Sequence, residues 1–125
     1  MSNAPMKVVV VDDNYDDIQI IITTLEYYSI DVHAVDSAEA CVEASQNLVP
    51  DLIITDLAMP GADGWDVLRA LRADARTAAI PVVAMTAYHS ARLEDEVMKH
   101  GFNGYIPKPI DPSELVSRLR VIMGV

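Results

Sequence analysis

The segment VVVVDDNYDD, residues 8–17, decides how the chain begins to fold. Its four valines are β-branched and apolar with no polar alternation, which predicts a strand buried on both faces. Such strands belong to parallel sheets that are covered by helices on both sides. The valines run directly into the adjacent carboxylates of Asp12 and Asp13, whose mutual repulsion must be offset by a nearby positive charge.

The next residues predict the start of a helix. Asn14 is a suitable N-cap, and Asp16 and Asp17 then fall in the first turn, where the helix macrodipole favours negative charge. We interpret these two carboxylates as serving the helix alone. Ser37 predicts a second helix start, and the segment DPSE (111–114) predicts a third, with an N-cap Asp, a Pro at the first helical position and a Glu that closes a capping box.

Short apolar runs alternate with helical segments along the whole chain. The runs are KVVVV (7–11), DVHAV (31–35), LIIT (52–55), PVVAM (81–85) and GYI (104–106). Between them, apolar residues recur at helical spacing, as at Ile18, Ile21, Ile22 and Leu25. This order predicts an α/β fold with five βα units and a parallel sheet covered on both faces.

Composition limits the class of protein. The chain has 125 residues, the size of one domain, and its net charge of −10 with only nine Lys and Arg argues against nucleic-acid binding. The single cysteine, Cys41, excludes an internal disulfide and favours a reducing compartment. No apolar run reaches the roughly 20 residues that cross a bilayer, and no signal region begins the chain. We expect a soluble, cytoplasmic protein that binds neither nucleic acid nor membrane.

Polar side chains follow the strands where functional groups of an open parallel sheet gather, at the edge where strands end. They are Asp12 and Asp13 after the first strand, Asp56 after the third, Thr86 after the fourth and Lys108 after the fifth. A dinucleotide site is excluded because no Gly-rich turn follows the first strand. The three histidines lie in separate segments and give no zinc ligand set.

The three carboxylates at this edge predict a site for a hard cation, and Mg²⁺ fits best because it accepts a few oxygens and often shares a substrate phosphate. Asp56 stands alone at its strand end and precedes the Pro- and Gly-rich turn MPGADG (59–64), which leaves it reachable from solvent. A carboxylate beside Mg²⁺ and a lysine can attack an activated phosphoryl group, and Lys108 and Thr86 would contact the phosphoryl oxygens.

At these residues the sequence resembles the receiver domain of two-component response regulators. The motifs VVDDN (10–14), ITDLAMPGADGW (54–65), VVAMTA (82–87) and GYIPKPI (104–110) stand in the family's order and spacing. The resemblance implies a stand-alone, CheY-like receiver over residues 1–125, with a flexible N-terminus at 1–5 and no output domain. It also implies a doubly wound, flavodoxin-like sheet with strand order 2-1-3-4-5.

The resemblance implies roles for particular residues. Asp56 would be the phosphoacceptor, and Mg²⁺ would be held by Asp13, Asp56 and the backbone carbonyl of Ala58, with Asp12 acting through water. Thr86 and Lys108 would contact the phosphoryl group, Thr86 and Tyr105 would form the switch, and the peptide bond from Lys108 to Pro109 would be cis.

The resemblance also implies partners and a mode of output. The phosphoryl donor would be a sensor histidine kinase or a histidine phosphotransfer protein. A downstream protein, which the sequence does not identify, would be contacted through the fourth helix (90–100), the fifth strand and the fifth helix. The chain would act as a monomer or a phosphorylation-dependent dimer, and it would not be a metabolic enzyme, although it would catalyse its own phosphorylation and dephosphorylation.

Two alternatives remain open at this point. A phosphohydrolase of the haloacid-dehalogenase type also uses a strand-end Asp with Mg²⁺, but it needs an Asp-x-Asp motif on the first strand, whereas Asp12 and Asp13 are adjacent. A degenerate receiver would work as an interaction module without phosphorylation. Such receivers generally lose part of the acidic set, and here all five site residues are present.

Overall fold

The structure is a computed structural model that describes residues 6–88 and 90–124. Five strands alternate with five helices, as predicted. The elements are β1 Lys7–Val11, α1 Tyr15–Tyr27, β2 Asp31–Val35, α2 Ala38–Leu48, β3 Leu52–Asp56, α3 Gly64–Ala73, β4 Val82–Thr86, α4 Ala91–Lys99, β5 Gly104–Pro107 and α5 Pro112–Met123. The N-terminal segment 1–5, for which we expected flexibility, lies outside the described residues, as does His89.

The strands form one parallel sheet in the order β2-β1-β3-β4-β5, which confirms the predicted topology. The chain reverses its direction of winding between β1 and β3, so the ends of these two strands flank the crevice where open α/β sheets place their sites. In the register, Asp56 of β3 lies opposite Met85, and Thr86 of β4 lies opposite Pro107. The strand ends are therefore level at this edge.

The sheet is covered on both faces, because alternate strand residues point to opposite sides. Val8 and Val10 pack with the side chains of α1 and α5, whereas Val9 and Val11 pack with those of α2, α3 and α4. The predicted stripe of α1 is confirmed in part: Ile21 and Leu25 are fully buried, while Ile18 and Ile22 are half-buried. The fold is thus doubly wound around a sheet whose central strands are inaccessible to solvent.

Helix starts follow the predictions with one exception. The side chains of Asn14 and Ser37 accept hydrogen bonds from backbone N–H groups of α1 and α2, as expected of N-caps. Asp111 also caps α5, but through the N–H of Ser113, and the predicted capping box with Glu114 is wrong. The carboxylate of Glu114 instead lies 3.8 Å from Arg118 Nε, one helical turn onward.

The helices are short and amphipathic. The longest, α1, has 13 residues, and no helix among residues 6–88 and 90–124 has both the length and the apolar character needed to cross a bilayer.

Candidate functional site

Three of the predicted site residues form an acidic cluster at the edge where β1 and β3 end. Carboxylate oxygens of Asp12, Asp13 and Asp56 all lie within 4.8 Å of one another. Asp12 is fully buried and Asp56 is 6% exposed, whereas Asp13 is exposed. The cluster is therefore buried on one side and open to solvent on the side of Asp13.

Lys108 brings a positive charge to this cluster. Its Nζ donates hydrogen bonds to Asp12 Oδ2 at 2.7 Å and to Asp56 Oδ2 at 2.8 Å, and its side chain is 11% exposed. The lysine is held in place because its backbone N–H donates to the carbonyl of Thr86 at the end of β4. The Lys108–Pro109 peptide bond is cis, as the resemblance implied.

Asp17 also contacts Lys108, which corrects our interpretation that Asp17 serves only the helix. Its Oδ2 lies 2.9 Å from Lys108 Nζ, and its side chain is 20% exposed. Asp17 lies in the first turn of α1, which begins directly after the end of β1, so its side chain is near the edge that carries the cluster. Asp16 is exposed in the first turn of α1, where we expected it.

The pKa values of Asp12 and Lys108 are both raised, but for different physical reasons. Burial, assisted by the charge of Asp56, raises the pKa of Asp12 from 3.8 to about 6, although bonds from Lys108 and the Asn14 N–H act against the rise. Burial alone would lower the pKa of Lys108, but its carboxylate partners outweigh burial and hold the pKa above the ordinary 10.5. The charged form of Lys108 is thus stabilised, whereas the charged form of Asp12 is destabilised relative to a carboxylate in water.

The donor set suits a hard divalent cation. Three carboxylates converge on one point and a single ammonium is hydrogen-bonded to two of them, so negative charge exceeds positive charge there. Oxygen ligands of this kind, with one side open for water, fit Mg²⁺. The N–H of Ala58 donates to Asp56 Oδ1 at 3.1 Å, which places Ala58 beside the cluster. The role of its carbonyl as a ligand stays a prediction.

Thr86 and Tyr105 lie on the neighbouring strands. Thr86 is 2% exposed at the end of β4, and its Oγ1 accepts a hydrogen bond from the N–H of Tyr88 at 3.0 Å. Among residues 6–88 and 90–124 the Thr86 hydroxyl has no hydrogen-bond acceptor, and its proton can donate to a phosphoryl oxygen. Tyr105 is half-buried in β5, and its buried hydroxyl has no hydrogen-bond partner within the described part of the chain.

Gly64 allows the loop after β3 to fold back beneath the site. A Cβ at this position would lie 2.4 Å from the carbonyl oxygen of Asp56 and 2.9 Å from Leu57 Cα. Only glycine lets α3 begin this close to the strand that carries Asp56. Asp63, the N-cap of α3, forms a capping box with Asp66, which fixes the helix start.

The histidines whose positions are described do not join the cluster. His33 pairs with Asp31 at 3.2 Å, and the ring of His100 packs edge-on against Trp65. The one group of potential metal ligands within residues 6–88 and 90–124 is the three carboxylates of Asp12, Asp13 and Asp56.

Comparisons with known proteins agree with this geometry. The family model of the response regulator receiver domain matches residues 8–120. A 14.6 kDa protein from the sodA1 3′ region of Leptolyngbya boryana is 34% identical over 90% of this chain and 86% of its own length. The sensor protein GacS of Pseudomonas syringae pv. syringae is 35% identical over 91% of this chain, but the match spans only 13% of GacS.

Solved structures show the same architecture. The response regulator from Desulfuromonas acetoxidans superposes with a TM-score of 0.88 at 27% identity, covering 95% of this chain and 97% of that one. The chain belongs to the response regulator receiver domain family.

Proposed function

We propose that the protein accepts a phosphoryl group on Asp56 from a phosphohistidine donor, in a Mg²⁺-dependent reaction, and signals by a change in its surface. One observation carries the proposal. The buried carboxylate of Asp56 belongs to the acidic cluster and also accepts a hydrogen bond from Lys108 at the edge of the sheet where the strands end. The donor would be a sensor histidine kinase or a histidine phosphotransfer protein, as the kinship with the sensor protein GacS suggests.

The chemistry follows from the groups at the site. A carboxylate oxygen of Asp56 forms a bond to phosphorus while the bond from phosphorus to the histidine nitrogen breaks, and its electron pair leaves with the imidazole. Lys108 Nζ supplies positive charge to the phosphoryl oxygens, and the free hydroxyl proton of Thr86 donates to one of them. Mg²⁺ held by Asp13, Asp56 and the Ala58 carbonyl, with Asp12 acting through water, would neutralise further charge there.

Output would use the surface formed by α4, β5 and α5. A groove of about 540 Å³ lies there, lined by Tyr105 and by the exposed side chains of Met98 and Val121. Glu94 and Arg118 also line the groove. A shift of Thr86 toward the phosphoryl group would change the space next to Tyr105, and a two-state equilibrium would carry the change to this groove.

The remaining parts of the proposal concern the whole protein. It would be a phosphoacceptor with self-catalysed phosphorylation and dephosphorylation, and it would not be a metabolic enzyme. It would act in the cytoplasm, in keeping with its free, buried Cys41. It would work as a monomer or as a phosphorylation-dependent dimer, on a downstream protein contacted through the groove.

The test is incubation with Mg²⁺ and acetyl phosphate, followed by intact-mass measurement. We expect the wild-type protein to gain one phosphoryl group and the Asp56→Asn variant to gain none. Asp51→Asn is a matched control, because Asp51 is exposed at the opposite end of β3 and should leave the gain intact. The absence of any gain in the wild type would favour the phosphorylation-independent interaction module. Sustained turnover of a phosphomonoester would favour the phosphohydrolase.

A further inference from the structure

A fourth carboxylate contacts the lysine of the site without joining the acidic cluster. Asp17 Oδ2 lies 2.9 Å from Lys108 Nζ. Within the described residues, the group of carboxylates close enough to share one cation consists of Asp12, Asp13 and Asp56, and Asp17 is not part of it. Asp17 therefore has contact with the ammonium but is not placed to share a metal ion with the other three.

The position of Asp17 is fixed by the start of α1. Its backbone N–H donates to the N-cap side chain of Asn14 at 3.0 Å, and the backbone N–H of Asn14 donates to Asp12 Oδ1 at 2.9 Å. These bonds join the end of β1 to the first turn of the helix. The carboxylate of Asp17 thus reaches Lys108 from a backbone that is held relative to Asp12.

Lys108 has three donors and three carboxylate neighbours, at 2.7, 2.8 and 2.9 Å. When Asp56 carries a phosphoryl group, the donor that faced Asp56 is the one that can turn to a phosphoryl oxygen. Asp12 also belongs to the acidic cluster, where it would interact with the cation as well as with Lys108. Asp17 is the partner of Lys108 that is engaged with neither the phosphoryl group nor the cluster.

We propose that Asp17 is a positioning residue for phosphoryl transfer, which holds the Lys108 ammonium beside Asp56. This inference rests on the proposed function. It assigns to Asp17 no contact with the transferred group: the bond from Asp56 to phosphorus forms, and the bond to the donor's leaving atom breaks, as described above. Asp17 acts by restricting a long, flexible side chain to the geometry in which its charge meets the phosphoryl oxygens.

Two substitutions distinguish the contribution of the Asp17 oxygen as a hydrogen-bond acceptor from the contribution of its negative charge. Asp17→Ala removes both, and we expect the phosphorylation rate at saturating acetyl phosphate and Mg²⁺ to fall about tenfold. Asp17→Asn retains a carbonyl oxygen that can accept from Lys108, and we expect a rate within about twofold of the wild type. Asp16→Ala is the matched control, since it removes an exposed neighbouring carboxylate, and it should leave the rate unchanged.

Two further measurements distinguish positioning from a general loss of structure. Magnetic resonance of the lysine ammonium groups is recorded with saturating Mg²⁺ and without a phosphoryl donor, so that the cation engages Asp12 and Asp56. It should show the Lys108 signal in the wild type and in Asp17→Asn, and should show it broadened in Asp17→Ala. The Mg²⁺ dissociation constant from calorimetry should change by less than about twofold in both variants, because Asp17 lies outside the cluster.

The outcomes are distinguishable. A wild type that is phosphorylated, with an Asp17→Ala variant that reacts equally fast, overturns the inference and leaves the proposed function standing. An equal loss in Asp17→Asn and Asp17→Ala also overturns it, because charge would then matter and not the acceptor. A wild type that gains no phosphoryl group overturns the proposed function, and the ammonium signal then still decides whether Asp17 holds Lys108.

Discussion

Replacing Asp12 by asparagine should stabilise the metal-free protein at neutral pH. Asp12 is fully buried beside Asp56, and burial raises its pKa from 3.8 to about 6. A raised pKa means that the folded state disfavours the carboxylate relative to the unfolded chain. An asparagine has nearly the same shape and no charge, and its amide oxygen can still accept from the N–H of Asn14, as Asp12 Oδ1 does at 2.9 Å.

The magnitude follows from the size of the pKa change. A rise from 3.8 to about 6 corresponds to about 3 kcal/mol of unfolding free energy lost at pH 7 through the ionised Asp12. This amount already includes the loss of the hydrogen bond that Lys108 Nζ donates to Asp12 Oδ2. In the variant, however, an amide N–H donor faces the Lys108 ammonium where the carboxylate oxygen accepted, which costs about 1 kcal/mol. We therefore expect Asp12→Asn to raise the unfolding free energy by about 2 kcal/mol at pH 7.

The pH dependence has a definite sign. Because the folded pKa lies above the unfolded one, protonation of Asp12 stabilises the wild type as pH falls through about 6 toward 3.8. The advantage of the variant should therefore be largest above pH 6 and should disappear near pH 4. Urea denaturation in EDTA, followed by the fluorescence of the single tryptophan, Trp65, measures both quantities.

A control and a second condition sharpen the test. Asp16→Asn removes one exposed carboxylate from the same part of the chain and should change stability by less than about 0.5 kcal/mol. Saturating Mg²⁺ should narrow the difference in unfolding free energy between the wild type and Asp12→Asn. The reason is that the cation adds more stability to the protein that binds it more tightly, which is the wild type. An Asp12→Asn variant that is less stable than the wild type at pH 7 in EDTA would refute the reasoning.

Three more predictions concern residues around the site and in the core. Gly64→Ala should lower the unfolding free energy by about 2 kcal/mol or more, because the new Cβ would meet the carbonyl oxygen of Asp56 at 2.4 Å, and an unchanged urea midpoint would contradict this. Cys41 is fully buried and burial raises the pKa of its thiol to about 12, so a thiol reagent at pH 8 should react with it only in the unfolded protein. Arg72→Lys should lower the unfolding free energy by about 2 kcal/mol. The Arg72 guanidinium donates four hydrogen bonds, three to backbone carbonyls and one to Asn103, and an ammonium does not reproduce this planar arrangement of donors. Stability within about 0.5 kcal/mol of the wild type would contradict the last prediction.

The sequence predicted the sheet well because its signals are local. A run such as Val8–Val11 can be satisfied only by burial on both faces, and alternation of such runs with amphipathic segments leaves a parallel sheet as the stable arrangement. Parallel strands end at a common edge, so Asp12, Asp56 and Lys108 were expected to meet there, and the structure brings them together.

The two wrong predictions concern residues for which the local sequence allowed more than one role. Glu114 had the right spacing for a capping box, but Arg118 offers it a charged partner one turn onward. Asp17 had the right position to complement a helix macrodipole, and it does lie in the first turn of α1. Its contact with Lys108 joins residues from opposite ends of the chain, and periodicity along the sequence carries no information about such a contact.

The sequence by itself thus determined the order of strands and helices, the edge of the sheet that carries the site and the residue types that stand there. The tertiary structure alone decided which carboxylates face the lysine, how deeply Asp12 is buried and hence how far its pKa rises. The physical reason is that secondary structure follows from short-range patterns of polarity. The energy of a charge depends instead on every group and every solvent molecule around it in space.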